Sequence, residues 1–199
     1  ITAGSCILTA NQAGNAAYHA APQGTLTFTI GKGDQAIAFA PAPTVTVGTS
    51  GSVGATGGAS GRPVVFSNVT PAVCALSGNT VSGLVAGTCV IAADQEGTAD
   101  WNPAPQVLLQ VAVGRGAQVI TLPPMPTITL GTHTTANPTG GPSTSPVTLS
   151  TLTPSVCVVE GNAVRAIGPG ACTIVATQGG DDNYHAPVSV TQTVIIDRL

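Results

Sequence analysis

Charge and aromatic rings are what this sequence has least of: 7% of its residues are charged and 3% are aromatic. With five Lys and Arg in total and a formal net charge of -3, no basic face can be assembled to neutralise a row of phosphates. That excludes nucleic acid as a partner. Continuous apolar runs of about 18 residues are also missing, so this chain contains no membrane-spanning segment. Its first residues lack the basic stretch, apolar core and cleavage site of a leader. An export signal or membrane anchor is therefore expected outside the chain.

The sequence also lacks a GxSxG elbow, an HExxH helix, a phosphate-binding glycine loop and a spaced carboxylate pair. Its three histidines are His19, His133 and His185, and the position matching His19 and His185 in the middle of the chain is Asn102. The expectation is of no catalytic residue, no cofactor and no metal ligand. The protein is read as a non-enzyme.

What is abundant is Gly (25) and Pro (16), with 43% apolar residues drawn mostly from Val, Ala and Ile beside many Thr and Ser. This is a β vocabulary with frequent turns, and its hydrophobicity separates it from a disordered chain. A length of 199 residues fits one large domain or two ordinary ones.

Internal similarity chooses between these. TPAVCALSGNTVSGLVAGTC at 70–89 returns as TPSVCVVEGNAVRAIGPGAC at 153–172, an offset of 83 residues. The same offset joins Cys6 to Cys89 and Cys172. It also joins Gly4, Gly87 and Gly170, then Gln12, Gln95 and Gln178, then the aromatics Tyr18, Trp101 and Tyr184. Gln35, Ile37 and Pro41 match Gln118, Ile120 and Pro124 without a gap. The linkers GKGDQ at 31–35 and GRGAQ at 114–118 fall in phase, dividing the chain into 1–33, 34–116 and 117–199. The first part lacks about 50 residues of its repeat and cannot close a core alone, so the chain is expected to be a piece of a longer tandem array.

Within residues 34–116, QAIAF, TVTVG, PVVFS, VCALS, NTVSGL, TCVIAA and QVLLQVAV are short β-type runs with no helical period. Seven strands about 8 to 12 residues apart predict a small β-sandwich. Gly78-Asn79 and Gly161-Asn162 mark hairpin turns. Residues 48–61 and 131–146 carry few strand signals, and a weak or mobile strand with a long loop is expected in each.

A cysteine pair 15 apart is open to three readings. A redox couple asks for C-x-x-C, and structural zinc asks for two such pairs or added histidines; neither is present. A disulfide staple, Cys74 with Cys89 and Cys157 with Cys172, is the preferred reading, with free buried thiols as the other. Each bridge would close about 16 residues and contribute roughly 3 kcal/mol. Cys6, whose partner position precedes the chain, is expected to be unpaired, with an intermolecular disulfide as the alternative. Bridges imply an oxidising compartment.

The signatures TPxVC, GN and AGTC, with GDDNYHA at 180–186, AGNAAYHA at 13–20 and EGTADWNPA at 96–104, resemble bacterial immunoglobulin-like repeats over the whole chain. The resemblance implies an all-β fold of immunoglobulin-like sandwiches in a linear array: 1–33 the C-terminal part of an incomplete repeat, 34–116 and 117–199 full repeats. It implies an extracellular or cell-surface location on a secreted bacterial protein, and an adhesin-like stalk or spacer as the function. A filament subunit is one alternative. A ligand-binding module is another, using the Gly, Thr and Pro loops at 48–62 and 131–146. The partners implied are neighbouring repeats of the same or adjacent chains, and a surface protein or glycan as a ligand class.

The remaining features take modest readings. Asp94, Glu96, Asp100, Asp181 and Asp182 suit Ca²⁺ by chemistry, but share no ligand spacing across the three parts; they read as solvated loop carboxylates. Tyr18, Trp101 and Tyr184 read as core or junction plugs rather than a sugar platform. Lys32-Gly33-Asp34 reads as a linker turn.

Overall fold

The computed structural model describes residues 2–198, all of it strand, turn and loop. The first segment is a hairpin, β1 (Gly4–Ala10) and β2 (Gly24–Ile30). The second carries β3 (Ala38–Phe39), β4 (Val45–Thr46), β5 (Ser50–Ser52), β6 (Ala55–Thr56), β7 (Val64–Asn68), β8 (Cys74–Ser77), β9 (Thr80–Gly83), β10 (Gly87–Gln95) and β11 (Ala104–Gly114). The third carries β12 (Ile128–Thr129), β13 (His133–Thr135), β14 (Val147–Thr151), β15 (Cys157–Glu160), β16 (Ala163–Ala166), β17 (Gly170–Gln178) and β18 (Val190–Asp197).

Alternation explains the layering. In β10 the side chains of Cys89, Ile91, Ala93 and Gln95 are all buried, and in β11 those of Val111 and Val113 are; these share one face of a pleated sheet. That sheet has the order β4-β11-β10-β7, and a second sheet has the order β5-β9-β8. Val45, Cys89, Ile91, Val111 and Val113 from the first meet Cys74 and Val81 from the second in one core. The result is an immunoglobulin-like β-sandwich. The third segment repeats it, with sheets β12-β18-β17-β14 and β13-β16-β15 enclosing Ile128, Cys157, Val164, Cys172, Ile174, Val194 and Ile196. Burying an Ile such as Ile91 or Ile174 contributes about 2 kcal/mol, and there are few large side chains to do so.

The bridges cross the cores. Cys74 in β8 is joined to Cys89 in β10, and Cys157 in β15 to Cys172 in β17, each with an S–S distance of 2.03 Å. They tie the two sheets of each sandwich together face to face. Cys6 is free and partly buried.

The hairpins turn as their dipeptides require: Ser77 pairs with Thr80, and Glu160 with Ala163. Gly78 and Gly161 take φ of 59° and 62°, while among the described residues no non-Gly residue has positive φ. Only the first loop residue is thus left-handed, the arrangement of a two-residue type II′ turn that demands Gly there. Asn79 and Asn162 do not need that freedom.

Residues 34–116 form nine strands rather than seven. The extra two, β5 and β6, lie in the stretch where strand signals were weakest, and β13 lies in the corresponding stretch at 131–146. Short edge strands of Ser, Gly, Thr and Ala pair mainly through backbone, with the Ser50–Ser82 hydroxyl bond beside it, and leave little side-chain signature.

Candidate functional site

Four buried glutamines hold these low-signal loops in place. Gln35 donates from Nε2 to the carbonyls of Glu96 and Asn102 at 3.1 and 2.8 Å, and its Oε1 accepts from Ser60 N at 2.9 Å. Gln118 does the same, 83 residues on, with Gly179, His185 and Ser143. Gln95 accepts from Gly58 N at 2.7 Å and donates to the Arg62 carbonyl at 2.7 Å; Gln178 repeats this with Gly141 and Ser145 at 2.9 and 2.8 Å. The Gly pairs at 57–58 and 140–141 follow from these bonds, because a Cβ on Gly57 would overlap the Gln95 amide and one on Gly58 would overlap Gln35. The loops are tethered from inside.

The glutamines also organise the loop after β10 and the loop after β17, and those loops carry the junctions between segments. Gly33 N donates to Asp100 O at 2.9 Å, and Asn102 N to Gly33 O at 2.8 Å, so the linker pairs like a strand beside Trp101. A Cβ on Gly33 would sit 2.6 Å from the Trp101 ring, so the ring lies flat on the bare backbone. At the second junction Gly116 N donates to Asn183 O at 2.8 Å and His185 N to Gly116 O at 3.0 Å. There a Cβ on Gly116 would meet the Tyr184 ring at 3.0 Å and the Val47 carbonyl at 2.7 Å. Tyr184 reaches across and packs against the core of the second segment.

A side chain closes each junction from the other side. Ala3 N donates to Asp100 Oδ1 at 2.7 Å, and Ala86 N to Asn183 Oδ1 at 2.9 Å. Residues 3 and 86, like 100 and 183, stand 83 apart. The same bond is made twice, once by a carboxylate and once by an amide.

The loop is pre-shaped by the residue two before the junction acceptor. Asp181 Oδ1 accepts from Asn183 N and Tyr184 N, both at 2.9 Å, while Oδ2 accepts from Thr144 N at 2.8 Å. Asn15 makes the matching pair of bonds to Ala17 N and Tyr18 N, and Thr98 a single one to Asp100 N. The Thr144 N–H above all, then those of Asn183 and Tyr184, hold the Asp181 carboxyl below the usual carboxylate value against an upward push from desolvation. A lowered folded-state value means that the turn's contribution is complete above the unfolded value of about 3.9 and is lost as pH falls through the folded one. Accordingly, amide exchange at Asn183 and Tyr184 should accelerate on acidification below about pH 4 beyond its intrinsic pH dependence. Asp181→Asn should remove that extra step, and an unchanged step in the variant would sink the assignment.

The other sequence candidates do not converge. His19, His133 and His185 are all exposed, and among the described residues no three His, Cys, Asp or Glu side chains gather to hold a metal. Asp94 takes the Gln106 amide and Asp34 the Asn102 amide. Lys32 donates to the Thr98 carbonyl at 2.7 Å. Tyr18 is 75% exposed. Among the described residues no helix is long and apolar enough to cross a membrane. Asp100 and Asp181, expected to be solvated loop carboxylates, instead accept backbone N–H groups, Asp100 from Ala3 and Asp181 from Thr144, Asn183 and Tyr184. The glutamine clamp and the Asn183 acceptor are the residues that no motif singles out, and for Gln95 and Gln178 the signal is polarity at a strand position that calls for an apolar side chain.

No family model matches the chain, and no curated protein does. Among solved structures it is similar to domains 1–6 of the surface layer protein SbsC, with 14% identity and a TM-score of 0.36 over 98% of this chain and 32% of that one. It is also similar to fibronectin(III)-like modules of Clostridium thermocellum CbhA, with 14% identity and a TM-score of 0.32 over 81% of this chain and 94% of that one. A third is a C-terminal intimin fragment solved with the intimin-binding domain of its translocated receptor, with 16% identity and a TM-score of 0.32 over 80% and 62%. The chain spans about a third of the surface layer protein it matches. These are loose likenesses, with TM-scores below 0.5, and they assign no activity.

Proposed function

We propose that residues 34–116 and 117–199 are successive units of a linear array, that residues 1–33 are the closing hairpin of a preceding unit, and that the chain is a non-enzymatic stalk or spacer segment of a bacterial surface or secreted protein. The observation that carries this reading is the recurrence of one junction: Ala3 with Asp100, then Ala86 with Asn183. A linker of the GKG or GRG kind that pairs as a strand, lies under a ring and is closed by a side-chain bond leaves successive units little freedom to tumble. Length and stiffness are then the function, and the two bridges suit an oxidising, extracellular setting.

Small-angle scattering with sedimentation analysis tests this. A monomer with an extended, concentration-independent profile is expected; a folded-back, compact particle would overturn it.

A further inference from the structure

The two junctions share a donor, a glycine, an acceptor and a ring, and the third unit lacks the first two of these. The donor is the N–H of Ala3 or Ala86, directly before the Gly that opens β1 or β10. In the third unit that place is Pro169, which has no N–H. The turn around it is otherwise the same: Leu84 and Val85 donate to the Val73 carbonyl, and Ile167 and Gly168 donate to the Val156 carbonyl, 83 residues on. The glycine is Gly33 or Gly116, whose bare backbone lies against Trp101 or Tyr184. At the same phase residue 199, outside the described residues, is leucine.

We propose that the junctions are keyed, a step that rests on the array reading above. A unit accepts a neighbour whose closing loop presents Asp-Trp or Asn-Tyr only if it offers an N–H before its Gly–x–Cys strand and a glycine at its end. The third unit, with Pro169 and Leu199 at those places, does not accept a unit of that kind in that geometry.

Two physical costs set the key. Without the N–H, the half-buried Asp or Asn oxygen that points into the junction loses its partner. With a side chain in place of glycine, the ring must leave the linker, because Cβ alone already falls 3.0 Å from Tyr184 and 2.7 Å from the Val47 carbonyl. The surface at that end is therefore built for a different neighbour: a loop with no Asx acceptor. The loop bearing Ala17 and Tyr18, which has Ala where Asp100 and Asn183 stand, shows that such loops occur.

The test imports the third unit's residues into the second, in the full chain: Ala86→Pro with Gly116→Leu. Residual dipolar couplings are measured for the second and third units. In the parent chain the couplings of both units should fit a single alignment frame; two frames there would sink the array reading itself. In the double variant, with both disulfides retained, they should require two frames, and a single frame would overturn the key. Asn183→Ala probes the acceptor alone and leaves the glycine and the turn intact. Ala86 amide exchange should accelerate about tenfold, whereas unchanged exchange would show that the bond does not key the junction.

Discussion

Replacing Cys74 and Cys89 together by alanine should lower the unfolding free energy of residues 34–116 by about 3 kcal/mol on the chain-entropy model. The bridge closes a separation of 15 residues, and both cysteines are 0% exposed at the centre of the core. Loss of the two sulfurs adds a small cavity, which acts in the same direction. The effect is large because the remaining core is made of Val, Ile and Ala, and a domain of this size stands on only about 5–15 kcal/mol in total. Urea unfolding followed through Trp101, the chain's single Trp, reads the second segment. Cys157→Ala with Cys172→Ala should leave that transition in place and shift only the third segment. A Trp101 midpoint unmoved by the first pair of substitutions would refute the account.

Gln35→Leu should cost a similar amount, about 3 kcal/mol, although it replaces a polar side chain by an apolar one of similar size in a buried place. The reason is what it strands: the Ser60 N–H and the Glu96 and Asn102 carbonyls lose their partner at once. Buried groups left unpaired cost about 1–3 kcal/mol each when water cannot reach them, and partial rehydration of the exposed rim reduces the sum. Exchange at the Ser60 amide should rise above the global rate, marking local release of the 57–62 loop. Protection at Ser60 equal to that of the parent, with stability within about 0.5 kcal/mol, would show the clamp to be incidental. Gln118→Leu is the matching change in the third segment.

The clamp shows what could be read from the sequence and what could not. Side-chain alternation made the long strands legible, because β17 buries every second residue from Cys172 to Gln178 and β11 alternates more with less buried residues from Gln106 to Gly114, and that sufficed for the all-β class. The offset of 83 was legible as well, and Gln35, Gln95, Gln118 and Gln178 fell on it. What they do was not legible, since a Gln on a core face looks like a defect until the backbone it serves is in place. Residues 48–61 look like a slack loop for the same reason: β5 and β6 are held by strand pairing and the following residues 58–62 by Gln35 and Gln95, and neither leaves a local pattern. Trp101 and Tyr184 could be placed near the junctions by phase, but the need for Gly33 and Gly116 beneath them depends on a close approach that no spacing reveals.

The parallel pairing at the edge of each sandwich has a mechanical consequence. Val45 in β4 pairs with Val113 in β11, and Ile128 in β12 with Ile196 in β18, so in each unit a strand near its start runs beside its last strand in the same direction. Pulling the two ends of such a unit apart drags these strands past one another along their length. The ladder bonds then resist in shear, all at once, instead of opening one by one. Should that edge give way, the stretch between Cys74 and Cys89, or between Cys157 and Cys172, each pair 15 apart in sequence, still cannot be drawn out under load. The covalent links thus limit how far each unit can lengthen even after its core has been breached.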